Sequence, residues 1–213
     1  MPVRVSIRRH SNRPKEAHAK EVNLTYWGKV KSFLIGVSLG IHGINPKIYT
    51  SPFNRTQETG RLIARGSGSK YAQRTRKELG FTLLRSTEFA EQYKSLLRDG
   101  EDMFLAKWLA NQVNPKICFT PHEVALRVVR TMKIIPKGVK RLSRMKNVDI
   151  EGISHAPHIL ALFYELTQKP VEAKDFLKFN QAIKIEFGEK VILTHRDRRY
   201  DVTKKFNALL QEK

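Results

Sequence analysis

Ile48-Tyr49-Thr50-Ser51-Pro52-Phe53-Asn54-Arg55-Thr56-Gln57-Glu58-Thr59 opens as an apolar strand, breaks at Ser-Pro and continues as a helix. The strand is Lys47 to Thr50, and the helix runs from Thr56 to Ala64 and stops at Gly66. Arg55 stands at the start of that helix, where the positive end of the macrodipole does not favour a cation. A cation kept there implies an anion close by.

The same strand, turn and helix recur on either side of this stretch. Val3, Val5 and Ile7 alternate with polar residues like a strand, and the polar cluster Arg8-Arg9-His10-Ser11-Asn12-Arg13-Pro14 follows at once. Asp149 to Ile153 is a strand leading into Ser154-His155-Ala156-Pro157, and His158 to Leu166 is the next helix. Strands alternating with helices predict an α/β fold, a three-layer α/β/α sandwich with a mostly parallel central sheet. Ligand sites in such sheets lie beyond the carboxyl ends of the strands. Here those ends are Arg9-His10, Ser51 to Arg55 and Ser154-His155, and all three carry phosphate-binding or proton-transfer chemistry.

Elsewhere, Asn23 to Leu39 is predicted helical, with Trp27, Val30, Phe33, Leu34 and Val37 at helical spacing and Gly40 as its stop. Trp27, Trp108 and the phenylalanines read mainly as core. Gly66 to Ser69 reads as a flexible turn, and a third strand is expected at Phe81 to Leu84. Helices are expected over Phe89 to Leu97 and Met103 to Val113. Thr120-Pro121-His122-Glu123 forms a capping box for a helix running towards Ile135, which Pro136 and Gly138 end. Ala182 to Glu186 and Lys190 to Thr194 read as a hairpin, and Thr203 to Gln211 as a terminal helix.

Composition sets the outer limits. A length of 213 residues suits a single domain, 1–213. With 40% hydrophobic residues the chain can close a core without disulfides, and Cys118, its one cysteine, excludes both an intramolecular disulfide and a multi-thiolate metal site. No export signal and no apolar run long enough to span a bilayer is evident, so no membrane partner is expected and the cytoplasm is the expected compartment. Lys and Arg number 40 against 20 Asp and Glu, a formal net charge of +20 that favours anionic partners: a nucleic acid, or an anionic substrate drawn in by the summed field. The basic residues are spread along the chain, as on a generally basic solvated surface.

Together, Arg9-His10-Ser11, the stretch Ser51-Pro52-x-x-Arg55-x-x-x-Thr59, and Ser154-His155-Ala156 resemble the histidine phosphatase superfamily, the phosphoglycerate mutase-like family. Taken singly, His10 would be a strand-end surface histidine and Arg55 a surface charge; three blocks in the family's order change both readings. The resemblance covers nearly the whole chain. It implies that His10 is the nucleophile, a neutral imidazole that takes the phosphoryl group. Arg9, Arg55 and His155 would hold the phosphoryl oxygens, the arginines through planar, permanently charged forks. An acid must protonate the leaving alkoxide. Comparison with the family points to Glu91, with Glu88, Glu101 and Asp102 as alternatives.

Two small side chains depart from the pattern: Ser11 and Ala156 replace glycines that normally let backbone approach phosphate. Arg13 falls where one branch of the family carries a further phosphate-binding arginine. That branch also has Asp after the second histidine, where this chain has Ala156. His158 reads as structural or pocket-rim, and His18, His42, His122 and His195 are expected at the surface. His155 and His158 lack further ligands at coordinating spacing, so no metal and no organic cofactor is implied. Arg196-Asp197-Arg198-Arg199-Tyr200 reads as a solvated loop that could also touch RNA or an anionic substrate tail. The function implied is hydrolysis of a phosphorylated small molecule or phosphoprotein. Phosphoryl transfer of the mutase type, or RNA or anion binding by a catalytically weak relative, are the alternatives. The sequence does not indicate an oligomeric state.

Overall fold

A computed structural model of the chain describes residues 3–14, 21–98, 100–142, 148–169 and 176–212, with backbone alone for 133–142 and 148. His18 lies outside them. A single sheet of seven strands has the order β3-β2-β4-β1-β5-β6-β7. These are β1 (Val3–Arg9), β2 (Lys47–Thr50), β3 (Arg74–Thr75), β4 (Val148–Ser154), β5 (Ala182–Phe187), β6 (Val191–His195) and β7 (Arg198–Asp201). Among the described residues the helices are α1 (Tyr26–Ile41), α2 (Asn54–Ser67), α3 (Ala90–Leu96), α4 (Glu101–Leu109), α5 (Pro121–Leu142), α6 (Ala156–Thr167) and α7 (Thr203–Gln211).

The expected sandwich forms, but its sheet is mixed. β3, β2, β4 and β1 are mutually parallel, whereas β5, β6 and β7 run antiparallel to their neighbours. The switch has a local cause. The chain entering β5 arrives beside the end of β1, where Asn180 N donates to the Arg9 carbonyl and Arg9 N to that of Gln181. From there it runs back along β1. Val3, Val5 and Ile7 pack against α5, α6 and α7 on one face, while Ile48 and Ile153 meet α1 and α2 on the other.

Several local expectations give way to tertiary packing. Trp108 is in the core, but Trp27 is 67% exposed and lies with Tyr26, Leu34 and Ile41 on the outer side of α1. The buried side of α1 is its small face, Gly28, Ser32 and Gly36. A Cβ on Gly36 would collide with the Ile63 carbonyl, and one on Gly66 with the Phe33 carbonyl. Backbone contact between α1 and α2 therefore leaves the large residues outside. For the same reason Gly66 lies within α2, and the helix ends one turn position later at Gly68, whose φ of 64° suits glycine.

Phe81 to Leu84 contributes only an isolated bridge, Leu84 to Cys118, so the third strand of the sheet is Arg74–Thr75. Arg198–Asp201 pairs with β6 and is a strand, where a loop was expected. α5 continues past Pro136 to Leu142, its earlier turns being anchored by Val124, Val128, Val129 and Met132 in the core. Packing of that kind outweighs a helix-interior proline. His195 is buried against Phe163, not at the surface, because β6 turns it inward with Val191 and Leu193.

Candidate active site

β1, β4 and β2 lie side by side, so the turns that follow them meet at one edge of the sheet. His10 N donates to the Ser154 carbonyl at 3.0 Å, and Ser51 N donates to that of Ile153 at 3.1 Å. The turns open onto a cavity of about 590 Å³ lined by Arg9, His10, Arg13, Arg55 and His155. The five phosphate-site residues expected from the sequence are thus brought together.

The hydrogen bonds of His10 define its chemical state. Nδ1 is 2.7 Å from the Ser11 carbonyl, and Arg55 Nε lies 3.2 Å from Nε2. A carbonyl only accepts and a guanidinium only donates, so the proton sits on Nδ1 and Nε2 carries a lone pair. Burial first, then the Arg55 charge, lowers the pKa of His10 to about 3. The ring is neutral at physiological pH.

Arg55 also reaches the second histidine, with NH2 3.4 Å from His155 Nδ1. By the same logic His155 Nε2 carries hydrogen and donates to Ser51 Oγ at 3.0 Å. Burial, with the neighbouring His10 and Arg55, holds His155 well below the usual imidazole range, so it too is neutral. Burial and Arg13 lower the pKa of Arg55 to about 10, and it remains a cation. Its position is maintained by Phe53, whose ring lies 4.7 Å beneath the guanidinium. Arg9 is held by the Leu177 carbonyl at 2.6 Å and by the Phe179 ring at 4.4 Å.

The two departures from glycine are accommodated differently from what their positions suggest. Ser11 Oγ donates to the Gly28 carbonyl and accepts from Asn180 Nδ2, each at 2.8 Å. Its hydroxyl is engaged by α1 and the 176–181 segment. Ala156 is buried among α4 and α6 residues. The close approach that needs glycine is at Gly80, where a Cβ would lie 2.5 Å from His155 Cδ2 and 2.7 Å from Ser51 Cβ. Sequence reasoning missed Gly80, Phe53, Phe179 and Asn180. Only Phe53, inside the Ser-Pro-x-x-Arg stretch, carried a positional signal.

The carboxylate at this pocket is Glu101, not Glu91. Glu91 has an 81% exposed side chain paired to Lys94 at 2.6 Å, and it does not line the cavity. Glu88 and Asp102 are also exposed. Glu101 lines the cavity, 3.8 Å from Arg9 NH2 and 3.7 Å from Arg13 NH2. Helical phase explains the difference. α3 buries no residue, whereas α4 buries Phe104, Leu105 and Trp108, and Glu101 occupies the same face one turn earlier. That periodicity was present in the sequence and could have selected Glu101.

His158 lines the same pocket, buried, accepting from Phe81 N at 3.2 Å, with burial lowering its pKa to about 3. His122 bridges Glu165 and Glu212 and does not line the cavity, and His42 is exposed. Among the described residues, no group of three or more His, Cys, Asp and Glu could hold a metal. The site thus gathers guanidinium groups, two neutral imidazoles and a carboxylate around one cavity.

Neither a family model nor a curated protein matches the sequence. Solved structures do. Bacillus stearothermophilus YhfR superposes with a TM-score of 0.66 at 13% identity, over 94% of this chain and 99% of that one. A mycobacterial glucosyl-3-phosphoglycerate phosphatase gives 0.62 at 16% identity, over 87% and 91%. A phosphoglycerate mutase from Bacillus anthracis gives 0.62 at 15% identity, over 99% and 97%. With both chains of each pair covered almost end to end, this protein has the phosphoglycerate mutase-like α/β fold.

Proposed function

We propose that the protein is a phosphatase that hydrolyses phosphate monoesters through a phosphohistidine at His10. The observation that carries this reading is the state of His10, a buried neutral ring whose Nε2 lone pair faces a guanidinium and a second imidazole. In the first step Nε2 attacks phosphorus, the N–P bond forms and the P–O bond to the leaving group breaks. Glu101, as the general acid, gives a proton to the departing alkoxide. In the second step Glu101 takes a proton from water as the oxygen attacks phosphorus. The N–P bond then breaks, its electron pair returns to Nε2 and inorganic phosphate leaves.

Arg9, Arg13 and Arg55 supply fixed donors for the equatorial oxygens, where charge must be held in the transition state. A bound phosphate dianion raises the proton affinity of His155, which then donates to the same oxygens. The chain works as one domain. Its single, buried free thiol, Cys118, fits a reducing compartment such as the cytoplasm. No helix among the described residues is long and apolar enough to cross a membrane.

The test is hydrolysis of p-nitrophenyl phosphate by wild type and His10→Ala. The variant should lose about 10⁴-fold or more in kcat/KM while keeping its circular dichroism spectrum. Acid-quenched wild type should carry one phosphoryl group on His10 by mass spectrometry. Wild-type turnover in His10→Ala would sink the mechanism.

A further inference from the structure

A second cavity, of about 560 Å³, lies between the segment 76–81 and α5. Four cations, Arg76, Lys77, Arg127 and Arg130, line it with a single carboxylate, Glu78, among the described residues. Several basic side chains elsewhere find carboxylates, as in Arg4 with Asp149, Arg8 with Glu151 and Arg85 with Glu123. None of these four does so among the described residues. Arg127 is held instead by two rings, its guanidinium 4.6 Å from Phe81 and 4.2 Å from Phe119. Arg130 donates to the Glu212 carbonyl, at 3.4 Å. Arg76 Nε is buried with no acceptor among the described residues, an arrangement that leaves a desolvated charged donor unsatisfied.

This cavity adjoins the catalytic one, and Lys77 and Phe81 line both. A ligand whose phosphoryl group sits on His10 can therefore extend past them towards Arg127. Planar guanidinium forks suit phosphate oxygens, and stacking on Phe81 and Phe119 fixes one fork in advance. We propose that this cavity binds a second phosphate group of the substrate, so that the preferred phosphate monoester is a small molecule bearing two phosphates. The inference rests on the phosphatase reading above and specifies what that enzyme selects.

Calorimetry with α,ω-alkane bisphosphonates of increasing tether length tests it, because these compounds cannot be hydrolysed, and an alkylphosphonate serves as the one-headed control. One tether length should bind at least about tenfold tighter than the control, since the second head group binds at a high effective concentration. Arg127→Met and Arg76→Gln should each remove most of that gain and leave control affinity within about twofold, the fold-change being read against the affinity scale. Arg76 is the check on packing, as it stacks on no ring. The proposal is overturned if no tether exceeds the control, or if the gain survives both substitutions. Control binding that disappears in Arg55→Ala marks the catalytic pocket. If the wild type does not bind the control there, the phosphatase reading fails and the subsite with it; if it does but no tether helps, the subsite alone is wrong.

Discussion

The strand-end side of the pocket and the side built from residues 76–119 hold their charged groups by different means. On the first, His10, Ser51, Arg55 and His155 are tied by hydrogen bonds between adjacent parallel strands and the turns that follow them. Each ring has a defined tautomer because Arg55, which can only donate, faces one nitrogen of each. On the second, Glu101 is positioned by the phase of α4, which is set by Phe104, Leu105 and Trp108 seated against Val124, Ala125 and Leu160. Its contacts to Arg9 and Arg13 are long, and its side chain is 39% exposed. In the proposed mechanism the rigid side holds the nucleophile and the transferred group, and the looser side a carboxyl that exchanges protons with a leaving group and then with water.

This contrast can be broken first at Arg55. Arg55→Ala should lower kcat/KM for p-nitrophenyl phosphate on the order of 10³-fold, and Arg55→Lys about 10²-fold, because a point charge cannot reproduce the fork. A smaller loss from alanine than from lysine would contradict the assigned role.

Glu101→Gln tests the other side and should cost about 10²-fold in kcat with an alkyl phosphate, less with an aryl phosphate whose leaving group needs no proton. Glu91→Gln, on the exposed face of α3, should stay within about twofold of wild type, as surface substitutions there leave the site untouched. If the two variants exchange these outcomes, the placement of α4 is wrong.

Gly80 is where the two sides touch. Gly80→Ala should push His155 away from Ser51, lowering kcat/KM about tenfold and stability by about 1 to 3 kcal/mol through overpacking. Gly100→Ala, with open space around it but a φ of 98°, should destabilise α4 while leaving the His155 geometry unchanged. A melt and a rate measured on both variants separate the two effects.

The smallest expected effect is in the pH dependence of stability. His10 and His158 have folded pKa values near 3, below the roughly 6.5 of an unfolded histidine, so the unfolded chain binds more protons in between. Stability is then fully present above about 6.5 and lost as pH falls towards 3. His122 has the opposite sign. Burial lowers its pKa, but hydrogen bonds to Glu165 and Glu212 outweigh this and raise it, so its contribution is present in acid and lost as pH rises through the folded pKa. His122→Gln should make the acid decline in Tm steeper, and His10→Gln shallower. No change in slope from either would contradict both shifts.

Much of the strand-end side was legible in the sequence because it is local. Val3, Val5 and Ile7 before Arg9-His10 write a strand and its polar turn, while Ile48 to Thr50 before Ser51-Pro52 and Asp149 to Ile153 before Ser154-His155 each write strand, turn and helix in one continuous stretch. A parallel sheet brings the ends of such units together whatever the intervening chain does. Tertiary structure alone decided the rest. Which carboxylate lined the pocket depended on α4 finding α5 and α6, and the outward position of Trp27 depended on glycine contacts between α1 and α2. Phe179 and Gly80 reached the site only because segments distant in sequence closed over it. Patterning within one element determines its own two faces. Which of them is buried, and what lies against it, is set by the packing of elements that a local stretch cannot register.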